Sequence, residues 1–253
     1  MNDTRVRVDE RMHERFARLA AMPGAGIPIT RRIAIISTPR SGSTLFCESL
    51  GRTGLFGHPE EWMNPRRLKA YGRLHNTLNI NVNEYLRHVM ARTTTANGVF
   101  TLNFHVDQYL YWKNKGLDLL ALKFDHLFQV HRKDKLAQAY SYVKAMKSDA
   151  WRSEYIPLRK VEPEQIRDSE IILALHHLMR WDEYHASRLD RHVEARYRYE
   201  DFAARPEVFR EVLERCGIEH EGIAHFDSGL RVQTGSADRE RLQALRRRLG
   251  WTD

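Results

Sequence analysis

The stretch IAIISTPRSGSTLFCESL, residues 33–50, decides the fold. An apolar, β-branched run ends in a short loop of Ser, Thr, Pro, Arg and Gly. A helical pattern follows at once, with Leu45, Phe46, Ser49 and Leu50 on one face. In a strand–turn–helix of this kind the helix N-terminus offers unpaired N–H groups and a partial positive charge to an anion. Gly42 gives the anion clearance, Ser41, Ser43 and Thr44 add hydroxyl donors, and Arg40 adds a planar cationic fork for oxyanions. An ATP-type loop would read G-x-x-x-x-G-K-[ST]. Here Ser43 occupies the lysine position, the first glycine is missing, and no apolar strand ending in a metal-binding Asp is evident. A nucleoside triphosphate needs the lysine and Mg²⁺ to offset its β and γ charges. A ligand with one phosphate at that position does not.

Outward from this stretch, strands and helices alternate. Residues 8–20 carry apolar groups at Val8, Met12, Phe16 and Leu19 and predict a helix, broken by the PGAG at 23–26. Residues 54–65 are punctuated by Gly and Pro and read as a loop; 83–92 read as helix and 98–108 as a second strand. A third strand lies within 120–132, with a helix behind it, and a long helix is expected over 164–191. Residues 194–202 read as a short strand running into a loop, followed by helices at 206–217 and 236–249. The alternation predicts an α/β fold, a P-loop-type three-layer domain with a central parallel sheet flanked by helices. One domain over 1–253, with 1–30 as an N-terminal helical extension, is the simplest account.

Composition narrows the function. The 253 residues are 42% hydrophobic, enough for a sizeable core, yet no stretch approaches the ~18–20 consecutive apolar residues of a membrane span. The opening MNDTRVRVDERMHERF has no apolar secretory core, and two cysteines are too few for a disulfide framework or a structural zinc site, so the expectation is cytoplasmic. Lys and Arg exceed Asp and Glu by 41 to 33, which favours an anionic ligand. The basic residues are mixed with acids and no nucleic-acid motif appears, so nucleic acid is not the expected partner. Cys47 sits in an apolar helical face and reads as core. His176 and His177 are adjacent on a helix and cannot chelate one ion. Trp151 and Arg152 are open between a sugar-binding and a packing role, and Arg246–Arg248 read as the wet side of the last helix.

STPRSGSTLFCESL resembles the 5′-phosphosulfate loop of sulfotransferases, and TGLFGHPEEWMNP after it resembles the bacterial carbohydrate sulfotransferases typified by trehalose 2-sulfotransferase. HRKDKLAQAYSYVKAM, RYEDFAARPEVFREVLERCGI and LRVQTGSADRERLQALRR follow in the order of that family, over roughly residues 32–248. The resemblance implies 3′-phosphoadenosine 5′-phosphosulfate (PAPS) as sulfuryl donor, with no metal, and a carbohydrate or glycolipid hydroxyl as acceptor. It implies that Arg40, Ser41, Gly42, Ser43 and Thr44 hold the 5′-phosphosulfate and that Arg132 and Ser141 hold the 3′-phosphate. Those two lie nine residues apart, whereas eight is common in sulfotransferases. It also implies that Arg231 closes over the nucleotide, and it is compatible with a homodimer.

The same resemblance makes Glu61, in HPEEW, the base that takes the acceptor proton, with Glu60 beside it and His58 where relatives often carry a second acid. His105 is the rival. It falls near a strand end, where sheet proteins place ligands, and the animal-type cytosolic enzymes have a catalytic histidine in a Lys-x-His setting. Asn103 stands where trehalose-type relatives usually keep a lysine. Two alternatives remain open: a Mg-ATP P-loop kinase with a degenerate loop, and a nucleotide-binding regulator without catalysis.

Overall fold

The computed structural model describes residues 26–76, 79–152, 157–223, 225–230 and 235–251. The helix expected at 8–20 and Arg231 lie outside them. In chain order the elements are β1 (Arg31–Ser37), α1 (Ser43–Gly51), α2 (Pro65–Leu74), α3 (Val82–Thr93), β2 (Val99–His105), α4 (Val106–Lys113), β3 (His126–His131), α5 (Lys135–Ser148), α6 (Asp168–Tyr184), β4 (Ala195–Arg198), α7 (Tyr199–Ala204), α8 (Val208–Arg215) and α9 (Ser236–Leu249). The four strands form one parallel sheet in the order β2-β1-β3-β4.

Period-two alternation sorts the strand side chains onto two buried faces. Ala34 and Ile36 join Phe100, Leu102 and Phe104 in one core, under α2, α3 and α4. Ile33 and Ile35 join Phe128 and Val130 in the other, under α1, α7 and α8. The result is the three-layer α/β architecture expected. A third cluster packs α5, α6 and α9 together. Among the described residues no helix is long and apolar enough to cross a membrane.

Several boundaries differ from the sequence reading. The second strand stops at His105 and turns directly into α4, because the chain from Val106 buries Val106, Tyr109 and Trp112 at helical spacing. The loop expected after β4 is the short helix α7. The reading left 66–76 unassigned; α2 forms there because Asn64 caps it, its side chain accepting from Arg66 N–H, with Pro65 in the first turn. The long helix begins at Asp168, after a 3₁₀ turn at Pro163–Gln165, and ends at Tyr184 in a π turn over His185–Leu189.

The connection after β1 leads to β2 on one side, whereas the connection after β3 leads to β4 on the other. The crevice between the C-terminal ends of β1 and β3 is therefore a topological switch point, where open α/β sheets bind ligands. The outer edge of β2 is covered by a one-residue parallel bridge from Glu60 to Leu102, and Asn103 N–H donates to the Glu60 carbonyl at 3.2 Å. That bridge lays the segment carrying Glu61 along the strand that ends in His105.

Candidate active site

Residues 38–42 leave β1 at the switch point. Arg40 and Gly42 both take left-handed backbone, at φ 63° and 96°. A Cβ at position 42 would lie 2.3 Å from a Tyr199 ring carbon, so only glycine fits there. The loop is pinned from behind by the fully buried Gln138 on α5. Its amide donates to Thr38 Oγ1 at 2.9 Å and to the Pro39 carbonyl at 2.8 Å. Helix α1 starts at Gly42 with no side-chain cap, so its first N–H groups face the crevice.

Two guanidinium groups converge beside this N-terminus. Burial first, and then the nearby charge of Arg132, bring the Arg40 pKa down to about 10, with Tyr199 and Glu61 opposing the drop. Arg40 Nε donates to Ser141 Oγ at 2.9 Å and Nη1 to the Trp151 carbonyl at 2.5 Å. The Arg132 guanidinium lies over the Tyr199 ring at 4.9 Å, a cation–π distance. Glu200 accepts from Lys133 N–H and Asp134 N–H, both at 3.2 Å, and fixes the turn that follows Arg132. Arg132 Nε and Ser41 Oγ are buried without a hydrogen-bond partner. A second guanidinium whose charge reaches Arg40, two buried donors without a partner and an uncapped helix N-terminus suit an anionic ligand such as a phosphosulfate. The residues present fit PAPS.

On the other side of the crevice, Glu61 sits on a clamped loop. Trp62 Nε1 donates to the His58 carbonyl at 2.8 Å, Tyr85 OH to the Trp62 carbonyl at 2.6 Å, and Trp112 Nε1 to the Met63 carbonyl at 2.6 Å. Glu60 is engaged by Arg67 and lies 3.7 Å from Arg152, so its charge is balanced within the protein. Glu61 Oε2 accepts from Gln108 Nε2 at 2.6 Å and Asn64 Nδ2 at 3.1 Å, while Oε1 stands 3.8 Å from His105 Nε2. Burial pushes the Glu61 carboxyl up, but His105, Gln108, Arg67 and Asn64 together outweigh it and hold the group below the ordinary glutamate value. His105 Nε2 is also 3.4 Å from Ser43 Oγ in the first turn of α1. One imidazole nitrogen thus faces both the anion-binding turn and the carboxylate.

The structure therefore brings Arg40, Ser41, Gly42, Ser43, Thr44, Glu61, His105, Arg132 and Ser141 to one crevice. Ser141 faces Arg40, despite its nine-residue spacing from Arg132. Cys47 is buried, and burial together with Glu61 and Glu60 pushes its thiol well up, as suits a core residue. Arg152 pairs with Glu48 at 2.7 Å and lies 3.7 Å from Glu60. Arg246 and Arg248 are not simply solvated: they pair with Asp134 at 2.5 Å and Asp168 at 2.7 Å. Sequence reasoning missed Gln138, Gln108, Tyr199 and Glu200. For the last two a signal existed, since RYEDF follows a strand end and so reaches the ligand edge of the sheet.

The profile of the Stf0 sulphotransferase family matches residues 33–240. No curated protein matches the chain. Among solved structures, retinol dehydratase in complex with androsterone and inactive cofactor PAP is similar at 16% identity and a TM-score of 0.38, over 94% of this chain and 69% of that one.

Proposed function

We propose a carbohydrate or glycolipid hydroxyl as acceptor for this chain, which belongs to the Stf0 sulphotransferase family and is a PAPS-dependent sulfotransferase. PAPS would supply the sulfuryl group: the acceptor oxygen would bond to sulfur as the bond from sulfur to the bridging oxygen of the 5′-phosphate breaks, releasing adenosine 3′,5′-bisphosphate and one proton. The chain's own residues do the rest. Arg40, Ser43, Thr44 and the N–H groups of α1 hold the anhydride and face the charge that develops on its oxygens. Arg132 and Ser141 hold the 3′-phosphate. Glu61, kept ionised by its neighbours, accepts the hydroxyl proton, and Gln108 and Asn64 fix the direction of its Oε2. His105 bridges base and anion turn and is a positioning residue.

The observation that carries this assignment is the single His105 nitrogen that faces Ser43 at 3.4 Å and Glu61 at 3.8 Å. It sets a carboxylate beside the anion-binding turn, where an attacking hydroxyl must arrive. The test is transfer from radiolabelled PAPS to a panel of sugars by the wild type and Glu61→Gln. The variant is expected to bind adenosine 3′,5′-bisphosphate normally and to lose turnover. Full activity in Glu61→Gln would transfer the base role to His105.

A further inference from the structure

Residues 149–152, just beyond α5, touch four separate parts of the crevice. Asp149 ends the helix in left-handed backbone at φ 54°, a conformation that aspartate tolerates. Its carboxylate accepts from Trp151 Nε1 at 2.8 Å and from Arg66 Nη1 on α2 at 3.3 Å. The Trp151 carbonyl accepts from Arg40 of the anion turn at 2.5 Å. Arg152 then divides its fork between two carboxylates. Nη2 reaches Glu48 on α1 at 2.7 Å, and Nη1 lies 3.7 Å from Glu60, the residue before the base. Arg67 engages Glu60 from the other side, and Arg52 stands 3.4 Å from Glu48. Cations and carboxylates thus alternate along one row, Arg67–Glu60–Arg152–Glu48–Arg52, from the first turn of α2 to the end of α1. The Arg152 side chain at its centre is only 9% exposed, so either carboxylate would lose a costly partner with it.

We propose that Arg152 is a positioning residue for sulfuryl transfer, which sets the distance between the anion turn and the base. This rests on the reading of Glu61 as the base and deepens it. Helix α1 begins with the N–H groups that face the donor, and Glu48 belongs to the same helix. Glu60 is fixed through its backbone by the bridge to Leu102, and its carboxylate shares a turn with Glu61. A tie from Glu48 to Glu60 is therefore a tie from donor to base. The neighbouring Trp151 carbonyl fastens Arg40 to the same short segment. In-line attack tolerates little error in that spacing. A guanidinium suits the task because separate nitrogens serve the two carboxylates, whereas an ammonium is a single point charge. A sugar contact, the other role open to Arg152 in the sequence, would govern acceptor affinity and not the rate of the bound complex.

The test compares the wild type with Arg152→Gln and Arg152→Lys in the full chain. The donor is radiolabelled PAPS and the probe acceptor is trehalose. Inorganic sulfate from transfer to water is read in the same assay, so a transfer rate is obtained whatever the natural acceptor. Both variants are expected to lower turnover about 10–100-fold to trehalose and to water, with the acceptor KM unchanged, because a misplacement of about 1 Å costs rate and not affinity. Calorimetry should give an unchanged Kd for adenosine 3′,5′-bisphosphate. Arg152→Gln combined with Glu48→Gln should be no slower than Arg152→Gln alone, because members of one network do not add. Wild-type turnover in both variants overturns the proposal and leaves Glu61 as the base. A raised acceptor KM at unchanged kcat also overturns it and makes Arg152 an acceptor contact. Equal losses of rate and of bisphosphate affinity in Arg152→Lys reduce it to a general structural role. Full activity in Glu61→Gln removes the base reading, and the proposal with it. Should Arg152→Gln fail to fold, Arg152→Lys decides alone.

Discussion

The two walls of the crevice meet at His105 but are built differently. The anion turn of the donor wall is one contiguous loop whose shape is set by backbone: left-handed residues at Arg40 and Gly42, and an uncapped helix start. The opposite wall is assembled from side chains on separate elements: Glu61 before α2, His105 at the end of β2, and Asn64 and Gln108, which hold the Glu61 carboxylate. A backbone-built anion site leaves almost no position free to change, because the backbone supplies both shape and donors. A side-chain-built site can be retuned one residue at a time. Substitutions should respect that division.

The largest expected effect is on the opposite wall. Glu61→Gln should cut turnover about 10²–10⁴-fold, the usual worth of a positioned base, with the bisphosphate Kd intact. A matching loss of nucleotide affinity would blur the distinction between the walls. Next comes Arg40→Ala, expected to cost about 10²–10³ in rate and to weaken bisphosphate binding as well. Arg40→Lys should not restore the rate, because a single ammonium cannot replace the fork that reaches Ser141 and the Trp151 carbonyl together.

Smaller effects should appear as stability. Gly42→Ala forces a Cβ toward Tyr199 and strains a left-handed position, expected to cost about 1–3 kcal/mol in denaturant unfolding, together with bisphosphate affinity. Gln138→Leu removes the donor to Thr38 and Pro39 from a buried position, at about 1–3 kcal/mol.

The smallest effect is a pH shift. The Glu61 pKa is depressed in the folded state, so its contribution to stability is present above the ordinary glutamate value and is lost as pH falls through the depressed one. The acid limb of kcat/KM should follow that depressed value. Gln108→Ala removes one of the bonds that lower it, and the limb should move up in pH.

Much of the donor wall was legible in the sequence, because strand, loop and helix are adjacent and their residue types suffice to define an anion turn. Arg132 and Ser141 came from the resemblance, and the structure sets the Ser141 hydroxyl against Arg40. The proposed base came from the resemblance alone: in isolation, HPEEW reads first as a solvated loop, and the Glu60 bridge to Leu102 shows why it lies against β2. The rest depends on long-range packing. Gln138 reaches Pro39 across 99 residues, and Gln108 reaches Glu61 across 47. No local pattern marks either amide. The strand–helix boundary at His105 was misplaced because Val106 continues the apolar run while already belonging to a helical face.

The central claim is that a lysine-free turn at the β1–β3 switch point binds a phosphate–sulfate anhydride and a separate phosphate through Arg40 and Arg132. Titration calorimetry of the purified chain in EDTA tests it most directly. Saturable binding of adenosine 3′,5′-bisphosphate, weakened in both Arg40→Ala and Arg132→Ala, is the predicted result. No heat from the bisphosphate, alongside saturation by ATP only when Mg²⁺ is present, would contradict it.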